Sequence, residues 1–164
     1  MDCSVATTAT RSAAAQLGAM LSRSGRTVLT GGGPGAMEAV NLGAYLSPWP
    51  ADLDDALAIL AGAPSYRPNI DAWSNAAFQI RQRWPVDRAG PSISIPTWFY
   101  GHEPTNVFAT KIAKYFANAL REDTLLHRRR GGIVYLPGRA GTVQEIFRRS
   151  LGTSTRQTAA RSLQ

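Results

Sequence analysis

Two glycine-rich segments, each set between an apolar run and a helical pattern, constrain this chain more than any other feature. The first is Thr30-Gly31-Gly32-Gly33-Pro34-Gly35, after Thr27-Val28-Leu29; the second is Pro137-Gly138-Arg139-Ala140-Gly141-Thr142, after Ile133-Val134-Tyr135-Leu136. Each reads as strand, tight turn and helix start. Glycine lets the backbone approach a ligand closely, and the first turn of the following helix presents orphan N–H groups at the positive end of its dipole. Such a turn suits an anion, phosphate above all. The plain alternative is a tight connection that binds nothing. The first segment is not a Walker loop, because no Lys-Ser or Lys-Thr pair follows, and its spacing is not the dinucleotide fingerprint. A monophosphate fits it better than a triphosphate.

Periodicity supplies the elements between the turns. Ala14, Leu17 and Leu21 predict a helix over 11–24 with Gly25 as its stop. A strand over 26–30 leads into the first turn, and Pro34 opens a helix to about Leu46 marked by Met37, Val40 and Ala44. Leu53, Leu57 and Leu60 predict a short helix; Trp73, Ala77 and Ile80 predict another. Ser92 to Trp98 reads as a strand, with Pro96 near its end. Phe108, Ile112, Tyr115, Phe116 and Ala119 line one side of a helix expected from Thr105 to about Arg121. Ile133 to Leu136 is an unbroken apolar run typical of a buried strand, and Thr142 opens a last helix with Val143, Ile146 and Phe147 inward. The alternation predicts an α/β chain, a parallel sheet with helices on both faces and ligands at the carboxyl ends of its strands. The strand that ordinarily precedes the first helix, and the closing elements, are expected to be lacking.

With 164 residues, 44% of them hydrophobic, the chain suffices for one core. One domain is expected over 1–147, followed by a frayed basic tail over 148–164. No apolar run approaches the roughly 18 residues of a membrane span, and no compact apolar signal block opens the sequence, so the expected location is the cytoplasm. The only cysteine is Cys3, with His102 and His127 the only histidines, which speaks against a metal cage of these ligands. The formal charge of +7 owes four of its 18 basic groups to Arg148, Arg149, Arg156 and Arg161; the remaining 14 face 11 acidic groups. That balance argues against nucleic acid as the main partner.

Several residues carry two readings. Glu145, three residues after Thr142, closes a capping box or offers a carboxylate near both turns to orient a water or a ribose hydroxyl. Arg121, followed by Glu122 and Asp123, is a helix-end cation with local ion pairs or a site residue. Trp98, Phe99 and Tyr100 pack in the core or offer faces to a base.

Taken together, Gly31-Gly32-Gly33-Pro34-Gly35-Ala36-Met37 and Pro137-Gly138-Arg139-Ala140-Gly141-Thr142-Val143-Gln144-Glu145 resemble the paired motifs of the LONELY GUY family of phosphoribohydrolases, long labelled putative lysine decarboxylases. The resemblance extends through Glu103-Pro104-Thr105-Asn106 and the Tyr115-Phe116 segment ending at Arg121. It covers roughly Ser12 to Phe147. Arg139 stands where the family usually has glycine. The resemblance implies a Rossmann-like homodimer that hydrolyses the N-glycosidic bond of a nucleoside 5′-monophosphate, with no metal or organic cofactor. It puts the catalytic pair at Arg121 and Glu145. Phosphate and ribose would be held by Thr30, Gly31, Gly32, Gly33, Gly35, Asn106, Gly138, Gly141 and Thr142. The decarboxylase label does not suit the chain, because Schiff-base chemistry needs a lysine and only Lys111 and Lys114 exist. The alternative function is a module that binds a nucleotide without cleaving it.

Overall fold

A computed structural model describes residues 8–98, 104–128 and 131–134. The chain divides into two compact units, 1–121 and 122–164. The first carries α1 (Thr8–Arg23), β1 (Val28–Thr30), α2 (Ala36–Tyr45), α3 (Leu53–Ala61), α4 (Ile70–Arg83), β2 (Ser92–Ser94), β3 (Lys111–Ile112) and the opening turn of α5 (Asn118–Arg128). The second begins with the remainder of α5. Among the described residues the sheet is parallel in the order β1-β2-β3. This is the α/β, Rossmann-like architecture that the alternation predicts. No helix among the described residues is long and apolar enough to cross a membrane.

Local sequence explains most boundaries. α1 ends as expected at Gly25, which takes φ +75 while the Arg26 N–H donates to Leu21 O and the Gly25 N–H to Ser22 O. That pair of bonds satisfies carbonyls the helix end would otherwise orphan. α1 and α2 then pack backbone to backbone. A Cβ on Gly43 would lie 1.8 Å from Ala15 O, and one on Gly18 would lie 2.0 Å from Val40 O. Ala14, Ala15, Ala19, Ala39 and Ala44 keep the rest of this contact thin. α2 is consequently buried at every position from Glu38 to Tyr45. At α4 the Asn69 side chain accepts the Ala72 N–H at 3.0 Å, a side-chain cap.

The stretch from Thr105 to Arg121 departs from expectation. It is not one helix: Pro104 to Thr110 is irregular, β3 follows, and α5 starts only at Asn118. Apolar residues at helical spacing had suggested a single stripe, yet Phe108 is fully buried while Ile112 and Phe116 are 54% and 71% exposed. Backbone pairing decides the outcome. The Thr110, Ala113 and Tyr115 N–H groups donate to Ser92, Ser94 and Pro96 O at 3.1, 3.0 and 3.0 Å, and the Trp98 N–H returns to Tyr115 O at 2.9 Å. β-Branched and aromatic side chains at 107–116 suit that extended path, and a ladder to an existing strand outweighs a weak helical period. Of the buried strand expected over 133–136, Ile133 and Val134 pair with no strand among the described residues and Val134 is 60% exposed, so an apolar run alone does not make them a core strand; Tyr135 and Leu136 lie outside the described residues, as do the helix expected from Thr142 and the tail.

Candidate functional site

The first glycine turn leaves the carboxyl end of β1 and enters α2. Gly32 and Gly35 take positive φ, +78 and +82, a region that side chains with a Cβ rarely adopt. Beneath the turn lies a polar floor. Thr30 Oγ1 donates to Asn41 Oδ1 at 2.7 Å and accepts the Gly32 N–H at 3.0 Å. Asn41 Nδ2 donates in turn to Ser94 Oγ at 3.2 Å and Ser92 Oγ at 3.4 Å. The register pairs Val28 with Ser92 and Thr30 with Ser94, so these small polar residues share one sheet face against α2.

Asn106 fastens the turn from the other side. Its backbone N–H and its Nδ2 both donate to Gly32 O, at 2.9 and 3.0 Å, and Nδ2 also reaches Gly33 O at 3.2 Å. Its Oδ1 accepts the Phe108 N–H at 3.2 Å. Fully buried, Asn106 is thus engaged with the loop backbone, and Thr30 likewise with Asn41 and Gly32. Both hold the cradle in shape.

Arg121 comes to the same place. A Cβ on Gly31 would meet Arg121 Nη1 at 2.8 Å and Met37 Sδ at 3.2 Å, so the absence of a side chain at Gly31 is what admits the guanidinium. Arg121 does not end its helix, as the sequence had suggested; it stands in the first turn of α5. A cation there opposes the helix dipole instead of complementing it. The positive end of α2, into which the turn leads, and the Arg121 guanidinium therefore meet at this turn, an arrangement that suits an anion.

Glu38, at the third position of α2, is an acidic residue of this turn. It is 1% exposed, and its Oε2 accepts the Gly35 N–H at 3.4 Å. Burial pushes its carboxyl above the usual range, against the pull of Arg11, the Gly35 N–H and the Trp73 indole. Trp98, at the carboxyl end of β2, is not a core residue: it is 55% exposed, stacks on Phe116 with centroids 5.9 Å apart, and carries Lys114 Nζ 4.1 Å from its ring.

Of the expected site residues, Thr30, Gly31, Gly32, Gly33, Gly35, Asn106 and Arg121 fall within the first unit, and the structure joins them around one turn. Gly138, Gly141, Thr142 and Glu145 lie outside the described residues, together with Phe99 and Tyr100. The sequence reading missed Glu38, Asn41, Ser92 and Ser94. Their signal was present: a charge and an amide inside an otherwise apolar helix, and serines alternating along a strand. No protein-family model matches the chain, and no curated protein matches it either.

Proposed function

We propose that the chain is a cytoplasmic hydrolase that cleaves the N-glycosidic bond of a nucleoside 5′-monophosphate, giving free base and ribose 5-phosphate. The observation that carries this reading is the seat of Arg121 over Gly31, where glycine backbone, helix N-terminus and guanidinium together suit a phosphate monoester. In this reading the phosphate anchors the substrate and positions its ribose. The base leaves with the electrons of the C1′–N bond and takes up a proton at its nitrogen, while a water adds to the oxocarbenium-like C1′ and gives up a proton, so the two balance. Glu145 supplies the carboxylate that stabilises the developing ribosyl charge and orients the water, and Arg121 holds phosphate and carboxylate in register. The exposed apolar side chains of Trp98, Ile112, Phe116 and Leu120 support association into the homodimer that the resemblance implies, which light scattering tests.

The activity test is incubation with AMP and an N6-substituted adenosine monophosphate, followed by chromatography of released base. Release that disappears in Arg121→Ala and Glu145→Ala is the expected result. No release, or release unchanged in Glu145→Ala, overturns the mechanism. A second reading, nucleotide binding without cleavage, is favoured by Arg139, which stands where the family usually has glycine. Calorimetry that shows AMP binding with no product would select it.

A further inference from the structure

We propose that Glu38 is a positioning residue of the anion site, its carboxylate holding the Gly35 N–H so that the first N–H groups of α2 stay aimed at a bound phosphate. The inference rests on the phosphate reading above and names a residue that this reading does not use.

Three elements converge on this carboxylate. It projects from α2, Arg11 of α1 is the charged group that faces it, and the Trp73 indole of α4 lies alongside. Glu38 Oε1, Trp73 Nε1 and Arg11 Nε are buried without a well-aligned hydrogen-bond partner among the described residues. Arg11 is itself tethered, donating through Nη2 to Pro64 O. A glutamate that merely caps a helix works equally well at the surface, where ionisation is cheap. Here a carboxylate sits 1% exposed with only part of its hydrogen-bonding capacity used, a placement that a stability requirement alone does not favour.

The geometry gives the burial a purpose. Gly35 takes φ +82 and ψ −124, a conformation open to glycine almost alone, and nothing in its own side chain can hold it there. The bond from its N–H to Glu38 Oε2 supplies that restraint. It also removes the Gly35 N–H from the anion site, leaving the N–H groups of Ala36 and Met37 at the head of α2 to face a ligand. With Gly32 held by Thr30 and Asn106 at one end, Glu38 fixes the other end of the cradle.

Reach, not charge, is then the quantity that matters, and two variants separate them. Glu38→Gln keeps an acceptor at the same distance and removes the charge. Glu38→Asp keeps the charge and withdraws the acceptor by one methylene. The expected result is that Glu38→Asp raises KM for AMP about tenfold with kcat changed less than about twofold, and speeds amide exchange at Gly35 by a similar factor. Glu38→Gln should stay within about threefold of the parent in all three. Equal losses in both variants, or no loss in Glu38→Asp, overturn the proposal. Amide exchange at Gly35 requires no nucleotide, so it judges the clamp even if the parent protein proves inert toward AMP, an outcome that defeats the hydrolase reading alone. A Gly35 amide that exchanges at the unprotected rate in the parent protein overturns the proposal whatever the variants do.

Discussion

Adjacent glycines at the turn do different work, and alanine substitution separates them. Gly31 has ordinary φ, and the atoms its Cβ would meet are the ends of two flexible side chains, Arg121 and Met37. Gly31→Ala should therefore change stability by less than about 1 kcal/mol, but by displacing the guanidinium it should lower kcat/KM for AMP on the order of 10- to 100-fold. Gly32 has φ +78, and its Cβ would lie 3.0 Å from Ser94 Cβ, so Gly32→Ala should destabilise as well as inactivate. Paired denaturation and activity measurements check both. Glu38 gives a second prediction at this scale. Its folded pKa is raised, through burial, above the ordinary 4.5. The wild-type carboxyl thus favours the folded state most when protonated, below about pH 4.5, and that contribution is lost as pH rises through the folded value. The stability of Glu38→Gln relative to wild type should accordingly grow from acid toward neutral pH and then level off. A difference that is flat from pH 4 to 8 would contradict a buried ionised carboxylate.

The tight contact of α1 with α2 sets the position of the whole first turn, since α2 begins where the turn ends. A Cβ at Gly43 would meet Ala15 O at 1.8 Å, and the obstacle is backbone, which cannot rotate away. Gly43→Ala should separate the helices and destabilise by about 3 kcal/mol or more, read as a lower denaturation midpoint. The helices that hold the turn were legible because each buries a stripe of its own at one period: α1, α3 and α4 appear where Ala14, Leu57 and Trp73 place them. The segment from Thr105 to Arg121 was not legible, because Phe108, Ile112 and Phe116 fit a helical period while their fate depends on carbonyls of β2 distant in sequence. The same mistake hid the meaning of Arg121. Read as the end of a helix it has an explanation in the helix dipole; in the first turn of α5, with its guanidinium against Gly31, it does not have that one. The polar floor of Asn41, Ser92 and Ser94 was hidden for a related reason, since each is unremarkable until the parallel register stacks them beneath Thr30.

The charge of the whole chain and the charge gathered at the turn make separable claims on a phosphate ligand. The net +7 owes four of its positive groups to residues 148–164, whereas Arg121 Nη1 would lie 2.8 Å from a Cβ on Gly31 and α2 starts at Ala36, just after the turn. At physiological ionic strength the screening length is about 8 Å, so an exposed charge farther than that from the ligand contributes little to equilibrium affinity while close, partly buried groups keep most of theirs. Ligand-induced stabilisation measures the difference. AMP at about 100 times its Kd should stabilise the protein by about 2.7 kcal/mol, with a corresponding rise in Tm, and adenosine at the same concentration should give far less. A chain ending at residue 147 should keep the AMP response at 0.15 M salt, with its midpoint concentration within about twofold. Arg121→Ala should lose it. Were the response instead to vanish with the tail and survive Arg121→Ala, diffuse charge would be holding the nucleotide, and the convergence of Arg121 on Gly31 would be a packing contact without a ligand.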